Sequence, residues 1–246
     1  MRVRGSLTLA GVLSPALALG DPPEPQLPTP PPEPEARPGF FEPVGPARWR
    51  LRALAGLSLD VLPRRLVASE LRQVPMVLAG LRVGLPAGFF GDVRLRAVVL
   101  NNELQLGAGW GRRFGRWLLG AHYRAAFWFG FMGVTGFDVS SFGLMSQPGL
   151  SLGVEHNGTR ATLTAELIVV HTQRVNLGGS VLSRDPQNLG GFSFTLVAET
   201  PVNRRGGMIF YGVTLLAAVP DYQLWVAFAP TTNLLPYPRF MVGYEF

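Results

Sequence analysis

Three histidines are the first residues to weigh for chemistry, because imidazole can act as a base or bind a metal. They are His122, His156 and His171. No two of them are spaced as metal ligands on one strand face, and the chain has no cysteine to complete a site. No glycine-rich phosphate loop, nucleophile elbow or zinc-protease helix occurs. We predict no catalytic residue, no metal and no cofactor.

A hydrolase stays open as an alternative because of three serines. Ser140, Ser141 and Ser146 fall in one segment, and any of them could meet His171 and a carboxylate. Such triads are recognised by geometry, and the sequence supplies only the residue types. The competing interpretation is that His156 and His171 are interfacial side chains at strand ends.

The composition excludes several classes of protein. Of 246 residues, 47% are hydrophobic and 15% are charged, against about 25% charged in ordinary soluble domains. The basic residues, 22 in all, are arginines, and 16 acidic residues leave a net charge of +6. The arginines alternate with apolar residues instead of forming a basic stripe, so we predict no nucleic-acid partner. No apolar run approaches the length of about 18 residues expected of a membrane-spanning helix.

The first 46 residues predict an export signal and a spacer. Residues 1–20 combine a basic start, a short apolar run and small residues before Asp21, as in a secretory signal peptide. Residues 21–46 contain 11 prolines and five acidic residues. Because such a segment buries little apolar surface, we expect it to be extended, disordered and solvated. Residues 47–246 then form one folded domain.

That domain shows alternation with a period of two, which indicates β-strands. The pattern recurs in segments 49–60, 77–85, 93–100, 103–110, 116–129, 148–156, 160–171, 191–199, 208–219 and 237–246. An even number suits a closed barrel, so we predict an all-β fold: an antiparallel transmembrane β-barrel of about ten strands, with eight to twelve possible. Residues 222–229 also alternate, and we place them in an external loop.

Two turn signals test the alternation. If Asn157-Gly158 is a two-residue turn, apolar residues pair on one face and Glu155 pairs with Arg160 on the other. A turn at Asn101-Asn102 likewise sets Arg94 and Arg96 on one face with Glu103 and Gln105. Both assignments predict one apolar and one polar face.

Three observations favour an apolar exterior over a soluble barrel or sandwich with an apolar core. The polar face is rich in glycine, hydroxyls and Arg–Glu pairs, as in a narrow polar lumen. Aromatic residues fall at strand ends and predict two girdles: Trp49, Trp110, Trp117, Tyr244 and Phe246 at one rim, Phe127 and Phe129 at the other. Long connections, at 60–74, 130–147, 172–190 and 220–236, alternate with shorter ones.

The last strand, YPRFMVGYEF, places Phe240, Val242, Tyr244 and Phe246 on one face and ends in phenylalanine. It resembles the C-terminal β-signal of Gram-negative outer-membrane β-barrels. The resemblance implies an outer-membrane location, outer-membrane lipid around the barrel, and recognition by the barrel-assembly machinery through these four residues. No subfamily is indicated.

The polar face predicts a lumen network. Its members are Arg50, Arg52, Arg82, Arg94, Arg96, Glu103, Arg116, His122, Arg124, Glu155, Arg160, Glu166, Glu199, Arg239 and Glu245. These side chains either plug the lumen by pairing or, being mostly basic, line a narrow anion-leaning pore. We expect a monomer with a structural or pore role. The alternatives are a lipid-modifying barrel enzyme and a secreted soluble β-barrel or sandwich that binds a ligand.

Overall fold

A computed structural model describes residues 38–63, 73–98, 101–134, 137–177, 180–184, 188–202, 207–218 and 234–246. The signal segment 1–20, residues 21–37 of the predicted spacer, and residues 222–229 lie outside the described residues. Among those described, no helix is both long and apolar enough to cross a membrane.

The chain folds into antiparallel strands with short connections at one end. In chain order the strands are β1 (Leu51–Val61), β2 (Gln73–Gly84), β3 (Phe89–Val98), β4 (Asn101–Phe114), β5 (Trp117–Val134), β6 (Phe137–His156), β7 (Thr159–Leu177), β8 (Ser180–Arg184), β9 (Asn188–Pro201), β10 (Met208–Ala218) and β11 (Leu235–Glu245). A short 3₁₀ turn, Pro86–Gly88, joins β2 to β3.

Ten of these strands close into a barrel. Strands β1 to β7 pair in chain order, and β7 then pairs with β9. Strand β9 pairs with β10 and β10 with β11, and β11 closes the ring by pairing with β1. The short strand β8 pairs with β7 beyond the end of β9, so it extends a hairpin and is not part of the closed ring. The predicted ten-stranded antiparallel barrel is confirmed. We call the rim near Leu51 and Phe246 the terminal end and the other rim the opposite end.

Exposure alternates along the strands in the sense that the sequence predicts. In β1, Arg52, Ser58 and Asp60 are buried, whereas Leu51 and Leu57 are 68% and 58% exposed. The same pattern runs around the ring, because many polar side chains point inside a closed sheet whose outside carries leucine, valine and aromatic residues. Charged groups therefore make up much of the interior of this molecule.

The Asn157-Gly158 hairpin has the predicted register. His156 pairs with Thr159, Glu155 with Arg160 and Leu152 with Leu163. Both turn residues have positive φ, 49° and 78°, a conformation that asparagine and glycine adopt readily. The turn chemistry and the two-faced pattern agree, which is why the register could be read from the sequence.

The predicted turn at Asn101-Asn102 is displaced by two residues. Val98 pairs with Asn101 and Arg96 with Glu103, so both asparagines belong to β4. Because the shift is an even number of residues, the assignment of side chains to faces remains correct.

The predicted connection 130–147 is strand for most of its length. β5 and β6 remain paired as far as Val134 and Phe137. Alternation fades in this segment, and the hairpin rises well beyond the neighbouring β3–β4 hairpin. A protruding hairpin need not keep one apolar face, so the periodic signal there is lost.

The predicted solvated spacer ends earlier than residue 46. Residues 39–46, which we call the lumenal segment, lie inside the barrel. Phe40 is fully buried and Glu42 is 1% exposed. Composition alone misjudged these residues, because the surface that buries them is supplied by distant strands.

The aromatic residues of the predicted girdles lie near the two rims. Those at the terminal end are Trp49, Trp110, Trp117, Tyr244 and Phe246, and those toward the opposite end are Phe127 and Phe129. Trp110 donates from its indole nitrogen to the carbonyl oxygen of Ala87 over 3.1 Å. Most of these rings face outward and are at least 40% exposed.

Closure of the barrel can be tested with a disulfide, since the chain has no natural cysteine. Leu57 and Val242 are direct partners across β1 and β11, and directly paired side chains approach closely enough to cross-link. We expect Leu57→Cys/Val242→Cys to oxidise and to give a faster-migrating denatured chain without reductant. The control Ala55→Cys/Val242→Cys is offset by two residues and should remain largely reduced. Equal cross-linking in both variants would contradict the register.

Candidate functional site

The lumen collects most of the predicted polar network. The buried members are Arg52, Arg82, Arg96, Glu103, His122, Arg124, Arg160, Glu199, Arg239 and Glu245, and the partly buried ones are Arg94, Glu155 and Glu166. They come from both halves of the chain and meet only because the sheet closes.

Arg50 and Arg116 do not belong to this network. Both are exposed at the terminal end. Arg50 precedes β1, and Arg116 lies in the turn between β4 and β5 with its guanidinium 5.5 Å from the Trp117 ring centroid. Their positions in the alternating pattern match the inward set, but the strands stop before reaching them.

Asp92 is the centre of the first charge cluster, and sequence analysis missed it. Its carboxylate oxygens lie 3.1 Å from a guanidinium nitrogen of Arg82, 3.3 Å from one of Arg94 and 3.4 Å from one of Arg124. Strands β2, β3 and β5 therefore present three guanidinium groups to one buried acid. Asp92 shares the alternation of Arg94 and Arg96 along β3, and this spacing is the signal in the sequence that places it in the lumen.

Glu166 of β7 forms a second cluster beside the first. His122 Nε2 lies 2.9 Å from Glu166 Oε1, and Arg124 contacts the same oxygen. Ser193 donates to Glu166 Oε2 over 3.2 Å. Because Arg124 touches both Asp92 and Glu166, the two clusters form one connected network across the lumen.

Two further ion pairs tie neighbouring strands together. Arg239 holds Asp60 through two nitrogens at 2.6 and 2.7 Å, a bidentate geometry that is both strong and specific. Arg96 pairs with Glu103 across β3 and β4. Asp60 falls on the polar face of the predicted first strand, although the predicted network omits it.

The lumenal segment is held by the same network. The backbone N–H groups of Phe40 and Phe41 donate to Glu245 and Glu199 over 2.9 and 2.7 Å. Arg82 donates to the Glu42 carbonyl oxygen over 2.7 Å, and Arg160 Nε lies 2.9 Å from the Glu42 carboxylate. Four strands thus supply partners to three consecutive residues of the segment.

Apolar packing completes the docking of this segment. The Phe40 side chain packs with Leu54, Leu78, Val197 and Phe210 in a buried cluster, and the Phe41 ring centroid lies 5.0 Å from that of Phe210. Glycines in the wall make room for it: a Cβ on Gly111 would overlap the Pro43 carbonyl, and one on Gly84 would overlap that of Pro46.

The charge balance of the described lumen differs from the prediction. Seven arginines, at positions 52, 82, 94, 96, 124, 160 and 239, face eight carboxylates, at positions 42, 60, 92, 103, 155, 166, 199 and 245. The expected positive excess depended on counting Arg50 and Arg116 and on omitting Glu42, Asp60 and Asp92. Among the described residues the lumen therefore has no basic surplus to attract anions.

Apolar side chains occupy the lumen toward the opposite end. One buried cluster joins Leu62, Val74, Met76, Leu216 and Tyr237. A second joins Ala126, Trp128, Met145, Ile168 and Ala218, and it brings β10 together with β5, β6 and β7. The charged layer is thus bounded by the lumenal segment on one side and by apolar side chains on the other.

The three serines of the hydrolase alternative have different surroundings. Ser146 Oγ lies 2.7 Å from His171 Nε2. Ser140 accepts a hydrogen bond from Asn176 over 3.0 Å, and Ser141 is buried. His156 is exposed beside the Asn157-Gly158 turn. In the part of the chain that the structure describes, no group of three metal-binding side chains occurs.

Comparison with known proteins finds no matching family model and no matching curated protein. Among solved structures, the Neisserial surface protein A shows 11% identity and a TM-score of 0.38, over 79% of this chain and 94% of that one. The translocator domain of the autotransporter NalP from Neisseria meningitidis shows 13% identity and a TM-score of 0.38, over 80% and 88%. Outer-membrane expressed OmpT of Vibrio cholerae has 6% identity and a TM-score of 0.22, over 80% and 96%. At these values the similarity assigns neither family nor activity.

Replacing Asp92 tests the energetic role of the first cluster. Asp92→Asn keeps the shape but leaves three guanidinium groups facing a neutral amide, and loss of one partner from a buried ion pair costs about 3–5 kcal/mol. We expect a loss of that size in the free energy of unfolding by urea in detergent micelles. The control Arg113→Gln removes a rim pair with Glu155 whose arginine is 40% exposed, and it should cost at most about 1 kcal/mol. Equal losses would contradict the role of Asp92.

Proposed function

We propose that the protein is an integral outer-membrane β-barrel whose lumen is closed, and that its role is structural. The observation that carries the membrane placement is the apolar exterior. Among the described residues, 34 large hydrophobic side chains are at least 37% exposed. At about 1 kcal/mol for each half-exposed side chain, contact with water would cost several tens of kcal/mol. Since folded domains are stable by only about 5–15 kcal/mol, lipid is the better solvent for this surface.

The polar interior supports the same proposal. A soluble barrel would turn its apolar face inward and expose its ion pairs, whereas here Arg82, Arg160 and Glu199 are among the most deeply buried side chains. In a closed sheet the backbone N–H and C=O groups of the strands also hydrogen-bond to one another without water, as a hydrocarbon environment requires. The secreted soluble barrel or sandwich is therefore the weaker candidate.

The outward row on β11 supports assembly as an outer-membrane protein. Phe240, Val242 and Phe246 are 48%, 52% and 64% exposed, and Tyr244 is partly exposed. These residues match the β-signal pattern, so we expect the barrel-assembly machinery to bind this strand before β1 and β11 pair. Outer-membrane lipid then surrounds a monomer.

A closed lumen is favoured over an anion-leaning pore by two features of the described residues. The lumenal segment lies inside the terminal half and is fixed by Glu199, Glu245 and Arg82. The charge balance beyond it offers anions no net attraction. Bilayer recordings of the purified protein should therefore show no steady conductance.

Electrophoresis tests the membrane barrel directly. Because a closed ladder has no open edge, we expect membrane-extracted protein to resist SDS until boiled and to shift in mobility on heating. Variants with Phe240→Ala and Phe246→Ala should accumulate less of the heat-modifiable form in the outer membrane. A protein that stays soluble without detergent and shows no shift would contradict the proposal.

Thiol labelling tests the closed lumen. Ser151 is a buried lumenal residue near Pro43, so Ser151→Cys should react slowly with a water-soluble maleimide. Adding Gly111→Ala forces Pro43 to move, because the new Cβ would overlap the Pro43 carbonyl, and we expect labelling at least about tenfold faster. The matched control Gly91→Ala has room, with its nearest neighbour at 3.6 Å, and should leave the rate unchanged. Fast labelling of Ser151→Cys alone would contradict a closed lumen.

A further inference from the structure

Ser146 and His171 form a hydrogen-bonded pair on the outer face of the barrel. Ser146 Oγ lies 2.7 Å from His171 Nε2, within the range of a nucleophile and its base. Its cross-strand partners, Ala125 and Val169, belong to the outward rows of β5 and β7. The neighbouring residues Met145 and Gln147 point into the lumen, where they are hydrogen-bonded to each other.

A β-bulge brings the histidine to this position. Leu144 pairs with Thr172 and Met145 with Val170, so His171 is an extra residue in β7. Val170 and Gln173 are both buried, which leaves His171 and Thr172 together on the outer side. Bulges re-aim side chains in this way and are frequent beside active sites.

The pair lies where the outer face changes from apolar to a mixture of charged, polar and aromatic residues. On its terminal side the outward residues are apolar, with Leu150 and Leu167 68% and 49% exposed. On its other side Arg174 and Asn176 are exposed, and Phe142, the partner of Arg174, is 46% exposed. For a barrel in lipid, a band that mixes charged and aromatic side chains marks the boundary between hydrocarbon and headgroups. The ester bonds of a membrane lipid lie at that boundary.

We propose that Ser146 and His171 are the nucleophile and base of a site that cleaves carboxylic esters of membrane lipids. Ser146 Oγ forms a bond to the ester carbonyl carbon while His171 Nε2 takes the hydroxyl proton. The bond from that carbon to the alcohol oxygen breaks, and His171 returns the proton to the alcohol. Water then attacks the acyl-serine with His171 again as base, which releases the fatty acid and restores Ser146.

Access and rate follow from the geometry. Ser146 is 5% exposed and His171 is partly exposed, so the ester must reach the hydroxyl from the side of the imidazole. Among the described residues the contact recorded for the His171 ring is with Ser146, and no carboxylate is recorded beside it. Loss of the acid from a triad lowers turnover by about 10⁴-fold, so we expect slow hydrolysis and choose a stoichiometric test.

The test is covalent labelling of the folded barrel with a fluorophosphonate. Ser146 Oγ attacks the phosphorus, fluoride leaves, and His171 takes the proton. We expect one label per chain, located on Ser146 by mass spectrometry. The label should be absent in Ser146→Ala and at least about 100-fold slower to form in His171→Ala. Slow release of fatty acid from phosphatidylcholine vesicles should be lost in the same variants.

Two matched variants separate this site from a general surface effect. Ser140→Ala removes a serine whose partner is Asn176, and His156→Ala removes an exposed histidine at the terminal end of the same hairpin. Both variants should label like the parent chain. Absence of label on the heat-modifiable protein, or equal labelling of Ser146→Ala, would overturn the site and show that the hydrogen bond only satisfies two polar groups. The lipid substrate rests on the proposed membrane placement, which the mobility shift tests independently.

Discussion

Closure of the sheet through β1 and β11 is the constraint on which the rest of the structure depends. It leaves no unpaired edge in the ring and fixes which alternate side chains point inward. In a ten-stranded barrel those side chains have little room for water, so buried charges must be neutralised by one another. Asp92 among three arginines, and Asp60 held at both oxygens by Arg239, are the direct result.

Burial of the lumenal segment sets the same requirement for the backbone, whose polar groups also need partners inside the barrel. The N–H groups of Phe40 and Phe41 need acceptors once buried, and two carboxylates on β9 and β11 supply them. Pro43 and Pro46 have no N–H to satisfy, and wall glycines admit their carbonyls. A proline-rich composition that predicts a solvated spacer is thus equally suited to fill a narrow polar channel.

Features that depend on the local order of residues could be predicted from the sequence. Features that depend on closure of the sheet into a barrel could not. Period-two alternation placed the strands and their faces, and Asn157-Gly158 fixed one register. Distant contacts were beyond it: Glu42 is 1% exposed because strands far along the chain surround it. The polar network was partly predicted, but Asp60 and Asp92 were omitted and Arg50 and Arg116 were added. Together with the omission of Glu42, that error produced the apparent positive surplus of the lumen.

For a barrel in lipid, as proposed, the outer face poses the opposite problem from the lumen, because a polar group there has lipid and not water as its neighbour. An unpaired hydroxyl or imidazole in hydrocarbon would cost several kcal/mol, whereas alanine or valine at the same positions would cost nothing. Ser146 and His171 avoid that cost by pairing with each other, and the pairing depends on an inserted residue that interrupts the β6–β7 ladder. A strand irregularity and two mutually satisfied polar groups at the edge of an apolar wall are hard to explain as packing, since a regular ladder with apolar side chains would pack as well. This wall position is therefore where we propose a site with chemistry, separate from the charge network of the lumen.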